Sequence, residues 1–469
     1  MLRAATVAAR RVGGGAASAV AGRARRRLTT AEQVALAETA LRAVDDPLLA
    51  APADIMTTGM ASVAAADDTL TITLDVRTAA HPHAYDIAER ARRALEGSGV
   101  ASDCDIRLVA SGFGHAVGPE DALAGVRSCV AVSSCKGGVG KSTVAAHLAH
   151  ALAARGGRVG LVDADVMGPS APTVLGLEDA RVEASPAGGG LALPVESRGG
   201  VRVASLGFVN VAPSTKPGAA LRGPLAGRVA AQLFRMTDWG ELDYLVVDLP
   251  PGVGDVTLGV CAAVAVEAAV VVTTPSRLAR VDVLKGLELQ EGLGVPTAAV
   301  VENLAVAVCP GCGAEHRAFG DGHAAELAAA AGVAPEGVFR VPISPAVAAA
   351  NEAGAVGDAA PEPVFLSLAD RVIREVYGSM HARRDAVLDV KYDGKLGRVV
   401  VRSFRDGEAT EAFLEPNDVR AGRDFSEGLA PTAVRLVGNR SVVFDWSDGV
   451  KDDVYAVSAL LDRARGGAG

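Results

Sequence analysis

Apolar runs and helix-forming segments alternate through the middle of the chain. The runs are "CVAVSS", "RVGLVDAD", "DYLVVD", "AAVVVTT" and "TAAVVEN", and near-continuous apolar composition is expected of parallel strands buried on both faces. The segment "STVAAHLAHALAARGG" lies between two of them and predicts a helix that stops at Gly156 and Gly157. This succession predicts a doubly wound α/β domain with a parallel sheet over residues 125–380.

The flanking regions have different patterns. Residues 31–112 combine a helical stretch over 31–44, the alternating strand "TLTITLDV" and a helix around "AYDIAERARRAL", which predicts a small α+β domain. After the turn-rich "DAAPEPV" and a helix predicted over 365–381, residues 385–465 form a small β-rich domain. Its expected strands are "VLDVKYDG", "RVVVRSF", "AVRLVGN" and "SVVFDWSDG". The predicted fold class is therefore α/β, with a central parallel-sheet domain flanked by two small domains.

Composition narrows the function classes. The 469 residues exceed what one core holds, and a net charge of -9 with 4% aromatic residues argues against a nucleic-acid partner. No apolar run reaches membrane-spanning length, so we expect no membrane partner. Residues 1–30 carry seven arginines and no acidic residue, which predicts a removable peptide that directs the protein to an organellar matrix. Its low serine content favours the mitochondrion over the plastid stroma, and a basic disordered tail is the alternative.

The stretch "AVSSCKGGVGKST", residues 131–143, has the spacing of a phosphate-binding loop except that Cys135 stands where the first glycine is usual. Its backbone N–H groups and the helix beginning near Lys141 predict a site for ATP. We expect Lys141 to reach the β and γ phosphates, Ser142 to hold Mg²⁺ and Thr143 to touch the α phosphate. A glycine-rich turn that binds nothing is the alternative. The glycines that let the loop curl around phosphate are Gly137, Gly138 and Gly140.

Aspartates follow two further apolar runs. Asp248 closes "LDYLVVD" and is expected to hold Mg²⁺ through water, with the loop "LPPGVGD" after it able to sense the γ phosphate. In "LVDADVMGPS", we expect Asp165 to orient the hydrolytic water and Asp163 to assist at the metal. Either could instead cap a helix N-terminus.

These motifs resemble a known family. The loop Lys136–Thr143 is similar to the deviant Walker A loop of the SIMIBI-class ATPases that include MinD and ParA. The resemblance to the Mrp/Nbp iron-sulfur carriers covers about residues 125–380 and implies a homodimer in which Lys136 contacts the partner's phosphate. It also implies that Asn303 meets the adenine base, whereas a buried Asn satisfying loop carbonyls is the alternative. The matching motifs, in order, are "DADVMGPS", "LRGPL", "WGELDYLVVDLPPGVGD", "VVTTPS" and "VENLAVAVCPGCG".

The last of these motifs holds a close cysteine pair, Cys309 and Cys312. Two thiolates cannot complete a tetrahedral metal site or a [4Fe-4S] cluster, but a second chain can supply the other two. The resemblance implies that the pairs of two subunits bridge one labile [4Fe-4S] cluster, which passes to apoproteins. The alternatives are zinc with His316 as a third ligand, a thioredoxin-like redox pair, and a pair without a ligand role. A MinD/ParA-like positioning ATPase with a structural zinc is the rival function.

The flanking domains carry further resemblances. Residues 31–112 weakly resemble the SufT-type domain of iron-sulfur assembly factors, although His81 stands where cysteine is usual and Leu48 where glutamate is usual. His81 and His83 are expected to be surface histidines, with metal binding as the alternative. The tail "VVFDWSDGVKDDVY" resembles a small domain of chloroplast Mrp-like scaffolds of the high-chlorophyll-fluorescence type, and Trp446 is expected to anchor its core.

Two departures from the Mrp/Nbp pattern concern hydrolysis. Val253 stands where threonine is usual, and Ser276 stands where glutamine is usual. The first departure removes a hydroxyl near the phosphate. We therefore expect slow ATP hydrolysis, which suits a carrier in which the bound nucleotide sets how long the carrier state lasts.

Overall fold

The chain, as a computed structural model, forms two compact units, residues 1–113 and residues 114–469. The predicted targeting peptide lies outside the described residues apart from its last two positions, and Val253 also lies outside them. The structure describes residues 29–49, 53–66, 69–76, 78, 80–98, 104–109, 123, 125–208, 223–252, 254–264, 266–309, 311–382, 387–394, 396–405, 408–419, 430–437, 441–451, 453–456, 460 and 463.

The first unit contains an α+β arrangement. Thr29 and Glu32 form a reciprocal capping box that fixes the start of its first helix. Strand β2 (Thr69–Asp75) pairs with β1 (Ala61–Ala66) in antiparallel and with β3 (Cys104–Val109) in parallel orientation, and Ile72 of the sheet and Ile87 of the second helix are both fully buried. The sequence prediction missed β1 and β3. The elements are α1 (Thr30–Leu41), β1 (Ala61–Ala66), β2 (Thr69–Asp75), α2 (Ala84–Ser98) and β3 (Cys104–Val109).

The expectation of a surface histidine is wrong for His81. The residue is buried, and its Nε2 lies 3.4 Å from Oδ1 of Asp46, whose side chain is also fully buried. Nδ1 of His81 accepts a hydrogen bond from the backbone N–H of His83, and Asp46 accepts one from Leu48. The ring therefore takes part in the packing of this unit, because a carboxylate far upstream in the chain provides a buried partner.

The second unit is built on a nine-stranded sheet of order β11-β10-β9-β4-β8-β5-β7-β6, with β12 pairing β10. Its strands are β4 (Cys129–Ser133), β5 (Val159–Asp163), β6 (Val195–Glu196), β7 (Arg202–Ser205), β8 (Tyr244–Asp248), β9 (Val266–Thr273), β10 (Thr297–Val308), β11 (Glu315–His316) and β12 (Val338–Ile343). The β6–β7 and β10–β11 pairs are antiparallel and the other pairs are parallel. This confirms the predicted α/β class.

Helices connect these strands, as a parallel sheet requires. Helix α3 is buried along most of its length and ends where Gly156 takes a positive φ of 94°, as its sequence predicts. Among the described helices, none is long and apolar enough to cross a membrane. The helices are α3 (Lys141–Ala154), α4 (Ala171–Val174), α5 (Gly223–Arg235), α6 (Asp255–Ala263), α7 (Arg277–Gly292), α8 (Ala324–Ala330), α9 (Pro345–Glu352) and α10 (Pro363–Ala382).

The remaining residues form two three-stranded antiparallel sheets with a common apolar core. Trp446 is 1% exposed and stacks on Phe444 with ring centroids 5.2 Å apart, so the prediction of a core anchor is confirmed. The elements are β13 (Val387–Asp393), β14 (Arg398–Arg405), β15 (Glu408–Leu414), α11 (Pro416–Val419), β16 (Pro431–Val437), β17 (Ser441–Trp446) and β18 (Asp453–Ala456).

The sheet register places the polar residues that matter for function at one edge. Asp163, at the end of β5, is the direct partner of Asp248, at the end of β8. Strand β4 lies on the other side of β8 and leads into the loop 134–140. The carboxyl ends of adjacent parallel strands therefore converge there, which is where open α/β sheets bind ligands.

Candidate functional site

The loop between β4 and α3 has the backbone of a phosphate cradle. Gly138 and Gly140 have φ angles of 76° and 84°, which side chains other than glycine rarely adopt. A Cβ at Gly140 would also collide with the amide of Asn303. Helix α3 begins at Lys141 without a side-chain cap, so its first N–H groups are available to an anion.

Cys135, at the first position of this loop, packs against the core of the domain. The apolar cluster that it contacts contains Val271 and Leu287. Burial raises the pKa of its thiol to about 11. The cysteine in place of glycine therefore anchors the loop to the core and carries no reactive thiolate at neutral pH.

Lys141 and Asp248 form an ion pair that is almost fully buried. Lys141 Nζ also lies 3.4 Å from Ser142 Oγ. Burial raises the pKa of Asp248, although Lys141 and the Ser142 hydroxyl act against that shift. The second carboxylate oxygen, Oδ2, is buried and has no hydrogen-bond partner among the described residues. A carboxylate and a hydroxyl arranged in this way suit a hard cation such as Mg²⁺.

The two aspartates that follow β5 hold the loop "DADVMGPS" together. Asp163 accepts hydrogen bonds through Oδ2 from the N–H groups of Ser170 and Ala171, at 2.8 and 2.9 Å, where α4 begins. Asp165 accepts one from Gly168 at 3.2 Å. Burial, and then the charge of Asp248, raise the pKa of Asp163 to about 6. Asp163 thus makes the contact with a helix N-terminus, here that of α4, that the sequence analysis gave as an alternative role. Asp165 is half-buried.

Lys136 lies on the exposed side of the loop, next to the exposed Gly137 and Gly138. Its carbonyl oxygen accepts a hydrogen bond from Ser134 Oγ at 3.1 Å, which holds the backbone. The loop that follows β8 is tied to the phosphate loop, because Gly252 N–H donates to the Ser134 carbonyl oxygen at 2.8 Å. Lys136 is exposed, whereas Lys141 is buried in its ion pair with Asp248.

Asn303 contacts the phosphate loop directly. Its Nδ2 donates to the carbonyl of Val139 at 2.8 Å, and the residue is 7% exposed. This is the arrangement of a buried amide satisfying a loop carbonyl. The next residue, Leu304, has φ 58° and accompanies an irregularity in β10 between Asn303 and Ala307.

Cys309 and Cys312 lie at the tip of the hairpin between β10 and β11. Cys309 N–H donates to Ala314 O at 2.9 Å, and Gly313 N–H donates to Cys309 O at 2.8 Å. The pKa of the Cys309 thiol is lowered by the backbone N–H groups of Cys312 and Gly311. Cys312 is exposed and Cys309 is half-buried, so both sulfur atoms belong to the surface of the hairpin.

The surroundings of Cys309 and Cys312 test two alternatives to a shared cluster, a zinc site and a redox pair. Within the described part of the chain, which includes His316, no group of three or more His, Cys, Asp or Glu side chains is placed to hold a metal. A zinc site completed by His316 in one chain therefore has no support. The next element is β11 and not a helix, which also differs from a thioredoxin-like redox pair.

Sequence reasoning missed Glu302 and Asn351. Glu302 is buried and accepts hydrogen bonds from His323 N–H at 2.8 Å and Ala324 N–H at 3.2 Å, which fixes the segment after the cysteine hairpin. Asn351 donates to the hydroxyl of Thr143. The sequence held a clue to each residue: Glu302 is a charged residue inside an apolar strand, and Asn351 is an amide that follows a run of alanines.

Comparison with known proteins places these features in a family. Residues 125–377, more than half of the chain, match the ParA family model described as NUBPL iron-transfer P-loop NTPase. The "Fe-S cluster assembly factor HCF101, chloroplastic" of Oryza sativa subsp. japonica is 35% identical over 74% of this chain and 67% of that protein. The "Iron-sulfur cluster carrier protein" of Aquifex aeolicus is 39% identical over 57% of this chain and 70% of that protein.

Among solved structures, the nucleotide-binding protein of Archaeoglobus fulgidus in complex with ADP is 36% identical. The match covers 53% of this chain and 96% of that one, with a TM-score of 0.45. The family assignment rests on the model match and on the curated relatives, together with the phosphate loop and the cysteine hairpin. The chain belongs to the NUBPL-type iron-transfer P-loop NTPases, which confirms the resemblance to Mrp/Nbp iron-sulfur carriers that its motifs indicate.

Proposed function

We propose that this protein is an ATP-dependent scaffold or carrier that holds a [4Fe-4S] cluster between two copies of the chain and delivers it to apoproteins. The observation that carries the proposal is the surface hairpin with two thiols, for which the described residues offer no third ligand. Four thiolates bind such a cluster, and two copies supply four. The lowered pKa of Cys309 favours the thiolate that iron requires.

A cluster held between subunits at an exposed hairpin is open to a recipient. Glu302 and the β10–β12 pairing hold the base of the hairpin, so the ligands keep their place on the sheet. Release then requires separation of the two subunits and no rearrangement of the sheet within either one. This arrangement favours transfer over permanent storage.

ATP is assigned to the loop between β4 and α3. The side chain of Lys141, next to Asp248, is the cation for the β and γ phosphates, and backbone N–H groups at the start of α3 complete the cradle. Ser142 and the unpartnered Oδ2 of Asp248 fit Mg²⁺, which supplies charge neutralisation at the phosphates when bound. Asp165 orients the water that attacks the γ phosphate, and Asp163 holds the loop on which Asp165 lies and assists at the metal.

Two further residues complete the nucleotide site. The exposed Lys136 reaches a phosphate in the partner subunit, so that ATP stabilises the dimer. Asn303, at the carboxyl edge of the sheet, meets the adenine base, and its contact with Val139 links the base to the phosphate loop. Strand β10 carries both Asn303 and the approach to Cys309, so nucleotide state and cluster ligands act through one strand.

Hydrolysis is slow in this proposal, with Ser276 at the start of α7 in place of glutamine. The nucleotide sets how long the dimer and its cluster persist, and turnover is coupled to cluster release. A transfer assay tests the proposal: anaerobically loaded protein is mixed with a [4Fe-4S]-dependent apoenzyme with and without ATP. Recovery of enzyme activity that depends on Cys309 and Cys312 supports it, and recovery without them contradicts it.

The plastid stroma is the proposed location. The matched Oryza sativa assembly factor is described as chloroplastic, and a second such protein, from Arabidopsis thaliana, is 36% identical. The comparisons give no support to the mitochondrial preference that the arginine-rich leader suggests. Fusion of residues 1–40 to a fluorescent reporter tests the location, with plastid import as the expected result and mitochondrial import as the contradicting one.

A further inference from the structure

Helix α9 contacts the nucleotide loop through one side chain. Asn351, in the last turn of α9, places Nδ2 at 3.2 Å from the hydroxyl oxygen of Thr143, on the first turn of α3. The two residues are 208 positions apart in the chain. The Asn351 amide is therefore hydrogen-bonded to a residue that directly follows the phosphate loop.

A buried histidine, His147, lies one turn further along α3 than Thr143. Asn351 Oδ1 and His147 Nε2 are both buried, and neither has a hydrogen-bond partner among the described residues. His147 is stacked on Phe365 with ring centroids 4.6 Å apart, so its ring orientation is fixed. Burial lowers the pKa of His147, and the Asn351 side chain acts in the opposite direction.

The position of Asn351 is held by the rest of α9. Ser344 caps this helix by accepting a hydrogen bond from Val347 N–H at 3.2 Å and donates to Glu362 at 2.7 Å. Just beyond the helix, Gly354 packs so tightly against Gly176 that neither position has room for a side chain. A residue fixed in this way can orient a hydroxyl group.

The direction of the hydrogen bond matters chemically. A threonine hydroxyl has one proton to donate and two lone pairs that accept. If Asn351 donates to Thr143, the hydroxyl keeps its own proton for a negatively charged phosphate oxygen. If the hydroxyl instead gave its proton to an acceptor in the protein, it would turn a lone pair towards the phosphate, which is repulsive.

We propose that Asn351 is a positioning residue for nucleotide binding: it donates to Thr143 and thereby keeps the Thr143 proton directed at the α phosphate. Helix α9, which Ser344 caps, holds the amide at this position. This inference rests on the proposed contact between Thr143 and the α phosphate. It adds a residue outside the Walker motifs to the nucleotide site.

Nucleotide affinity of the full chain, measured for ADP and for ATP by calorimetry, tests the inference. Asn351→Leu removes the donor at similar size, Asn351→Asp replaces it by an acceptor, and Thr143→Val removes the hydroxyl. We expect Asn351→Leu to weaken both nucleotides about three- to tenfold, the range of one lost hydrogen bond. Asn351→Asp should weaken them more, because the carboxylate takes the Thr143 proton. In a Thr143→Val background, Asn351→Leu should have no further effect.

The control is Ser344→Ala, which loosens α9 but leaves the amide in place. Ser344→Ala should lower the melting temperature without weakening the binding of ADP or ATP as the Asn351 variants do. Additive effects of Asn351→Leu and Thr143→Val, or equal effects of Leu and Asp at position 351, would overturn the inference. If Asn351→Leu fails to fold, the nucleotide affinities of Asn351→Asp and Thr143→Val test the inference instead. Asn351→Asp that binds ADP and ATP as tightly as the wild type would overturn it. If Thr143→Val binds normally, the proposed α-phosphate contact itself fails.

Discussion

Lys141 and Asp248 form a buried ion pair at the carboxyl edge of the sheet, with side chains only 7% and 1% exposed. The lysine that should serve the phosphates is thus held by the carboxylate that should serve the metal. A phosphate and a Mg²⁺ ion entering together would give each side chain a new partner of opposite charge. The pair therefore predicts that metal and nucleotide binding depend on each other.

The first prediction concerns Asp248→Asn. We expect this variant to bind ADP in the presence of a chelator at least as tightly as the wild type, because Lys141 is released for the phosphates. Mg²⁺ should no longer strengthen binding, and ATP hydrolysis should fall by about 100-fold or more. Calorimetry with and without Mg²⁺ measures the first two effects. Retention of the full Mg²⁺ effect would contradict the assignment of Asp248.

The second prediction separates the two lysines of the loop. Lys136→Ala should leave ADP binding to the single chain within about twofold of the wild type and should abolish ATP-dependent dimerisation, because Lys136 is exposed and Lys141 is buried. Analytical ultracentrifugation with ATP and with ADP measures this. Lys285→Ala, at an exposed position of α7, is the matched control and should dimerise normally. An ATP-dependent dimer of Lys136→Ala would be the contrary result.

The third prediction is the pH dependence of cysteine reactivity. Backbone N–H groups lower the pKa of Cys309, whereas burial raises that of Cys135 to about 11. Alkylation of reduced, metal-free protein should therefore begin at a lower pH at Cys309 than at Cys135, where it becomes appreciable only in strongly alkaline solution. Mass spectrometry after timed iodoacetamide exposure gives both profiles. Equal rates for the two thiols at neutral pH would refute the difference in environment.

The fourth prediction concerns Asp163. Its pKa is raised from 3.8 to about 6 by burial and by Asp248, so the folded state binds this proton more tightly than the unfolded state. The contribution to the free energy of unfolding is greatest below the unfolded pKa and is lost as pH rises through about 6, by up to about 3 kcal/mol. Asp163→Asn should remove this loss, and Asp165→Asn should retain it. Urea unfolding at several pH values, without nucleotide or metal, measures the slopes; identical slopes in wild type and Asp163→Asn would show the linkage to be absent.

Local patterns accounted for much of this site. Glycine and lysine spacing predicted the loop because its positive φ angles and helix start are consequences of neighbouring residues. The apolar runs predicted the central sheet for the same reason. Strand β1, "ASVAAA", was missed because alanine has little β preference, and it forms only by pairing with β2.

Contacts between residues far apart in the chain could not be predicted from local sequence patterns. His81 was expected at the surface, yet Asp46 makes its burial possible. The Asn351 and Thr143 side chains meet only because α9 returns to α3, and no periodicity indicates that contact. The cysteine pair was visible in the sequence, but that no third ligand stands near it in the described part of the chain became evident only from the structure.

The measurement that tests the central claim most directly is anaerobic reconstitution with iron and sulfide, followed by size separation and analysis for iron, sulfide and zinc. The wild type is compared with a Cys309→Ala, Cys312→Ala double variant. The account predicts a brown dimer with about four iron and four sulfide per two chains, and a colourless variant that retains ATP binding. A colourless wild type that contains only zinc, or a variant that keeps its cluster, would contradict it.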